Sequence, residues 1–297
     1  MKADQDSRTG ASSLEPDVAQ QASDTDALIA RFAALVENGE VVEPEGAVRV
    51  AVDLGTANIV VSAVDSRDEP VAGAWQHSTV VRDGVVVDWL GATTAVRELT
   101  EQVADRLDRE LTTASVTIPP GISAGTVKVF SNVIEAAGLE VAEVVDEPVA
   151  AARALGLRDG CVVDIGHGTT GVSVLADGEV VFSADQATGG HHMTLVLAGH
   201  HGLEYEEAEA FKKDLAHLRE VQLAIRPTLE KMAHIARDYL QGQTPEVVHL
   251  VGGSATFPVA PQIFAEVLGT QISRPAQPLF VTPLGAAMAP RGRAWTP

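Results

Sequence analysis

The 297-residue chain is short of basic residues, of aromatics and of cysteine, and it has no long apolar run. Lys and Arg number 21 against 41 Asp and Glu, a formal net charge of −20. Phosphate backbones recruit basic surface, so nucleic acid is not an expected partner. A small phosphorylated ligand remains compatible with that charge. Local amides and a bound cation hold such a ligand, and net charge does not decide it. The single cysteine, Cys161, cannot form an internal disulfide, and a reducing cytoplasm is expected. No stretch reaches the ~18–20 apolar residues of a membrane-spanning helix. The opening MKADQDSRTGASSLEPD has no hydrophobic signal core, so no secretory leader is expected.

What is present is a globular composition, 45% hydrophobic, at a length that suits one large core or two moderate ones. Residues 1–23 are polar and expected to be disordered. Residues 24–46 read as an amphipathic helix and a linker. Leu28, Ile29, Phe32, Leu35 and Val36 recur at helical spacing, and Asn38-Gly39 is a stop signal. This helix has two readings: it docks on its own domain, or it detaches to bind a partner.

From Val48 onward, strands and helices alternate in a βαβ-type pattern. Strands are expected near 48–53, 58–64 and 71–76, then a helix over 90–110 and a strand in ASVTIPP. A helix at 126–137, a strand at 140–145 and a helix from Pro148 to Leu155 follow. After Gly156 the order begins again. Strands fall near 161–165, 171–176 and 179–184, and helices near 191–200, 205–214 and 216–241. The strand EVVHLVGG leads to a helix from Phe257, and a last helix follows Thr282. The hairpin-then-αβ order therefore occurs twice, an internal duplication of pattern. The expected division is one lobe at 47–158 plus 282–297 and a second at 159–281.

The duplicated hairpins carry the chemistry. VAVDLGTANIVV (50–61) and CVVDIGHGTTGVSVL (161–175) each place an Asp, then a glycine-rich turn, between β-branched runs. A third glycine turn, VGGSATFP (251–258), follows a later strand. Such turns present backbone N–H groups that cradle phosphate oxygens. Asp53 and Asp164, at strand ends, suit a magnesium ion held through retained water. One such turn alone reads as an ordinary hairpin with a turn acid; three in this order point to a phosphate-binding site.

The set resembles the actin-like ATPase fold shared by actin, MreB, FtsA, PilM and the DnaK-type chaperones. The resemblance implies two duplicated α/β lobes with a nucleotide cleft between them, and it covers Val48 to Ala289. DLGTAN implies a first phosphate loop, with Gly55, Thr56, Ala57 and Asn58. DIGHGTTG implies a second, with Gly166, His167, Gly168, Thr169 and Thr170. DEPVAAARALG is similar to the family's connecting helix and puts Glu147 where a residue orients the attacking water. The structural alternative for Glu147 is a simple helix-dipole partner. Gly189 and Gly190 are implied near the γ-phosphate. Glu209 and Lys212 are implied at ribose and adenine, and Gly252, Gly253 and Ser254 at the base.

The ordered segments VVRDG, Trp89, Gly91-Ala92, IPPG, DEP, SADQATGGHH, EEAE, EKMA and VTPL are similar to the ethanolamine utilisation EutJ family. That family is encoded with bacterial microcompartment enzymes. The resemblance implies an ATP-binding, slowly hydrolysing chaperone, with ATP or ADP and Mg2+ as cofactors. Its client would be a microcompartment enzyme or shell protein, and its place the cytoplasm or a microcompartment. The alternative is a nucleotide-locked adaptor of PilM type with little or no hydrolysis. Two departures from the wider family stand out. His167 occupies a place where chaperone relatives carry glycine, and it is expected to crowd or hydrogen-bond the γ-phosphate. The first lobe is too short for the DnaK-type insertion that carries a catalytic lysine, and DnaK-style clamping of unfolded peptide is not expected.

Overall fold

The computed structural model describes residues 16–82 and 84–289. A helix, α1 (Pro16–Asn38), precedes the first lobe. That lobe has β1 (Arg49–Leu54), β2 (Asn58–Val64), β3 (Pro70–His77), the small ribbon β4 (Val81–Arg82) and β5 (Val85–Val86), and α2 (Trp89–Leu107). It continues through β6 (Thr113–Ile118), α3 (Ala124–Ala136), β7 (Glu140–Asp146) and α4 (Glu147–Leu155). The second lobe has β8 (Gly160–Ile165), β9 (Thr170–Ala176), β10 (Glu179–Gln186), α5 (Gly190–His201), α6 (Tyr205–Lys213) and α7 (Leu218–Leu240). It ends with β11 (Val247–Val251), α8 (Ala260–Leu268) and β12 (Gln271–Ser273), and α9 (Val281–Ala287) then returns to the first lobe.

The pattern duplication is also a duplication of topology. The first sheet runs β3-β2-β1-β6-β7 and the second runs β10-β9-β8-β11-β12. In each, the first three strands form an antiparallel meander and the last two add in parallel. Even the turn register repeats. Leu54 pairs with Ile59 and Ile165 with Thr170, so each turn holds four residues, 55–58 and 166–169.

Strand alternation decides which way each side chain points. Val50, Val52 and Leu54 face the core formed with α2 and α3. Ala51 faces the opposite way, into a middle core shared with α1, α4 and α9. In the second sheet Cys161, Val163 and Ile165 face the outer core, and Val162 faces the same middle core. Asp53 and Asp164 share the parity of Ala51 and Val162. Period two therefore aims both acids at the space between the sheets.

Local chemistry sets the boundaries. Asp88 accepts from the Gly91 amide at 2.9 Å and starts α2; Ser123 accepts from the Thr126 amide and starts α3. Pro148 sits in the first turn of α4, and Gly156 in the left-handed region ends it. Several expectations shift. The first helix begins at Pro16, seven residues before the expected Ser23, so 16–23 is helical; residues 1–15 and 290–297 lie outside the described part. Its apolar face is buried on its own fold, against β3, α4 and α9, which is the docked reading. The helix expected from Phe257 begins at Ala260, after a 3-10 turn over Gly253–Thr256. Strand β12 has three residues, too few for a recognisable alternation.

Candidate functional site

A cleft of about 560 Å³ opens between the two sheets, within the usual range for small-molecule sites. Turn 55–58 lines one side and turn 166–169 the other. The segment Gly252–Ser254, Glu147 at the start of α4, and Glu209 and Lys212 of α6 complete the wall. Residues more than a hundred positions apart in sequence thus converge because the two sheets share a topology and face each other.

The acids dominate the electrostatics. Burial pushes Asp53 up to about 6, against a hydrogen bond from the Thr117 hydroxyl. Burial, then the charges of Asp53 and Asp185, push Asp164 up to about 7. Glu147 is held well above the ordinary range by burial, and then by Asp53, Asp164, Asp185 and Asp146. These carboxylates repel one another across a half-buried space, which is the donor chemistry that a divalent cation relieves. Among the described residues, no group of three or more His, Cys, Asp or Glu is arranged to hold an ion directly. A hydrated ion, held through its water, is the form of magnesium that fits Asp53 and Asp164. Asn58 Oδ1 is buried in the lining without a hydrogen-bond partner, an orphan acceptor awaiting a donor.

On α6, Lys212 donates to Glu209 at 2.6 Å, to the Thr194 hydroxyl at 2.7 Å and to the Gly190 carbonyl at 3.1 Å. Burial raises Glu209, but the Lys212 charge and hydrogen bonds outweigh it and bring the carboxyl to about 2. Burial lowers Lys212 in turn, against the pull of Glu209, and the pair is preorganised and fixed to the start of α5.

Three expected contact residues do not line the cleft. Thr170 is buried and donates to the Thr188 carbonyl at 2.6 Å, which ties β9 to the α5 approach. Gly189 and Gly190 lie behind the second turn. The Gly190 amide donates to the Gly166 carbonyl at 3.0 Å and the His191 amide to the His167 carbonyl at 2.7 Å. Ser254 Oγ bonds the same Gly166 carbonyl at 2.9 Å. These bonds occupy the turn's carbonyls from behind. His167 lines the cleft, yet its Nε2 lies 3.1 Å from the Tyr205 hydroxyl, which lies 2.8 Å from His191 Nδ1. Burial, then Lys212, lowers His167 to about 4, so the ring is neutral at pH 7. It tethers the turn to α6 and brings no positive charge to the site.

Asp185, Trp75, His77, Thr117 and Lys213 were not singled out in the sequence. Asp185 has a partial signal: it pairs in register with Gly171, two residues beyond the second turn. Trp75 and His77 come from the far end of β3 and are visible only in three dimensions. Burial pushes the Cys161 thiol up to about 12, an inert core position.

Two five-stranded sheets of one topology, joined by the packed helices α4 and α9 around a cleft with paired Asp turns, define the actin-like and Hsp70 class of fold. The Hsp70 protein family model matches residues 91–235. The structure of MreB5 of Spiroplasma citri bound to AMPPNP superposes with a TM-score of 0.65 at 17% identity, over 82% of this chain and 95% of that one. That similarity is one of fold. The ethanolamine utilization protein EutJ of Escherichia coli K12 is 41% identical over 246 residues, 82% of this chain and 87% of that protein. The crystal structure of EutJ from Carboxydothermus hydrogenoformans superposes with a TM-score of 0.85 at 43% identity, over 90% of this chain and 98% of that one. The chain belongs to the EutJ family.

Proposed function

We propose that this protein binds magnesium-ATP in the interlobe cleft and acts as a slow ATPase chaperone of EutJ type. Its client in this reading is an enzyme or shell protein of a bacterial microcompartment of the ethanolamine-utilisation kind, in the cytoplasm. The observation that carries the proposal is the meeting of Asp53, Asp164 and Glu147 between two amide-lined turns. A bare polyphosphate is repelled by these acids, and a bare cation has too few direct ligands. A cation and a phosphate together satisfy both the carboxylates and the turn amides.

Bound ATP supplies the phosphoanhydride, and Mg2+ neutralises its charge. The amides of 55–58 and 167–169 would orient the phosphates, and Asp53 and Asp164 would hold the hydrated cation; the Gly166 amide closes its own turn on the Thr169 carbonyl at 2.9 Å. Glu209 and Lys212, fixed to each other, meet the nucleoside side together with Gly252 and Gly253. Glu147, at the mouth of α4, orients the attacking water and accepts its proton once the cation offsets the neighbouring charges. Among the described residues, the lysines of the lining are Lys212 and Lys213, both on α6. Lys212 acts on His167 of the second turn, but its ammonium is committed to Glu209, Thr194 and the Gly190 carbonyl, which supports slow turnover. The same observation favours the second reading, a nucleotide-locked adaptor.

Calorimetry with ATP, with and without Mg2+, followed by single-turnover hydrolysis by wild type and Glu147→Ala, tests the proposal. Binding should require Mg2+. The variant should lose about a hundredfold or more in rate with little change in affinity. Equal rates with and without Glu147, unmoved by a co-purified client, favour the adaptor. Absence of Mg2+-dependent binding removes both readings.

A further inference from the structure

The cleft lining holds two kinds of surface. The turns 55–58 and 166–169, with Asp53 and Asp164, are polar. Beyond Lys212, a 3-10 turn over Leu215–His217 joins α6 to α7, and there the lining is apolar. Leu215 is 81% exposed, and it lines the cleft together with Leu218, Phe257 and Pro258. The two segments that carry these side chains are tied to each other, because the Val259 amide donates to Gln222 Oε1 on α7 at 2.9 Å. A single exposed leucine needs no explanation. Four apolar side chains grouped on the wall of a cleft form a surface for a flat apolar group.

The polar side chains around this rim are already engaged with one another. Lys212 uses its three donors on Glu209, Thr194 and the Gly190 carbonyl. Glu209 accepts from Lys212, from the Thr194 hydroxyl and from Lys213 at 3.2 Å. Ser254 Oγ donates to the Gly166 carbonyl, and Thr256 Oγ1 donates to the Gly253 carbonyl at 2.8 Å. Asp214 accepts from the Ala216 amide at 2.9 Å. Lys213 and Asp214 keep further capacity, but both are half exposed, so water satisfies it. Among the described residues, the buried side-chain atoms of the lining that lack a partner are Asn58 Oδ1 and Thr282 Oγ1. Both stand on first-lobe elements, β2 and α9, and neither belongs to the apolar rim.

That distribution sets what the rim can tell apart. A site rejects a wrong ligand strongly when that ligand leaves a buried polar group unpaired; apolar surface and water-covered groups impose no such penalty. Adenine and guanine differ in the donors and acceptors at their edges but share a flat apolar face. We propose that the cleft accepts purine nucleoside triphosphates with little distinction between adenine and guanine, the rim of Leu215, Leu218, Phe257 and Pro258 packing on the face of the base. The inference rests on the magnesium-nucleotide reading above and names the ligand class of that same site. Glu209 and Lys212 then hold α6 against α5 as a wall of the site, and they do not read the base.

Titration calorimetry of the full chain in Mg2+, with ATP, GTP and inorganic tripolyphosphate, tests this. The Kd values for ATP and GTP should agree within about tenfold. Each nucleotide should bind about tenfold or more tighter than tripolyphosphate, the gain from packing one base. Leu215→Ala and Phe257→Ala should each weaken ATP and GTP by a common factor of about three- to tenfold and leave tripolyphosphate unchanged. Leu215 is exposed, and an unchanged Tm shows that its variant keeps the fold. A gap wider than tenfold between ATP and GTP overturns the inference, as does a Leu215→Ala variant that binds both nucleotides like wild type. Tripolyphosphate bound as tightly as ATP removes the base rim and leaves the phosphate site standing. If neither nucleotide nor tripolyphosphate binds, the nucleotide reading itself falls and the inference falls with it.

Discussion

Asp164→Asn should make the ligand-free protein more stable at alkaline pH while destroying its magnesium-dependent binding. The ordinary aspartate value is 3.8, and in this fold the group stands at about 7. Between those values the folded chain binds more protons than the unfolded one, so stability falls as pH rises from about 4 to about 7. At about 1.4 kcal/mol per pH unit, a rise of about three pH units corresponds to a gross cost of about 4 kcal/mol at pH 8. Asparagine cannot ionise, and its substitution also relieves Asp53 and Glu147, but it keeps the desolvation of a polar amide. A net gain of about 2–3 kcal/mol is expected, or roughly 4–8 °C in Tm for a chain of this size. Calorimetric scans at pH 4, 6 and 8, without nucleotide or divalent cation, measure it. The gain should be largest at pH 8 and nearly vanish at pH 4. An equal or lower Tm at pH 8, or the same gain at every pH, refutes the claim that repulsion among these carboxylates is stored in the cleft.

Two further outcomes follow from the same geometry. Cation binding must displace protons from Asp164 and Asp53, so the affinity for magnesium-nucleotide should climb as pH rises from about 5 to 8 and then level off. Titration calorimetry at several pH values reads this; a flat affinity would place the cation elsewhere. At the interlobe axis, a side chain on Gly285 of α9 would drive into the Ala150 carbonyl of α4. Gly285→Ala should therefore cost about 3 kcal/mol, seen as a lower urea midpoint, and an unchanged midpoint would contradict the close α4–α9 contact.

Much of this fold is written in local pattern. The β-branched runs around Asp53 and Asp164 give strands, and the four-residue glycine turns give hairpins. Their alternation puts each acid on the opposite face from Val52 and Val163. What pattern does not carry is the partner of a polar group. Nothing in AEAFK says that Lys212 bonds Glu209, Thr194 and the Gly190 carbonyl, because two of those three partners come from another helix. Gly189 and Gly190 read as ligand-facing glycines, yet they support the second turn from behind. His167 reads as an intruder at the phosphates, yet Tyr205 anchors its ring. The early turns of α1 were missed for a different reason. Apolar spacing begins only at Leu28, and the stretch before it is polar, with local support such as Gln20 bonding Asp24 at 2.8 Å.

The sequence by itself determined the duplicated strand order, the paired Asp turns and the EutJ-like set of segments. Each of these depends on residues close together along the chain, where steric preference and hydrophobic period act directly. Only the tertiary structure decided that the two turns share one cleft and that Asp53 and Asp164 raise the proton affinity of Glu147. It alone placed the apolar face of α1 against β3, α4 and α9. Those outcomes depend on which distant groups are brought within a few ångströms and shielded from water, and a linear pattern does not encode that distance.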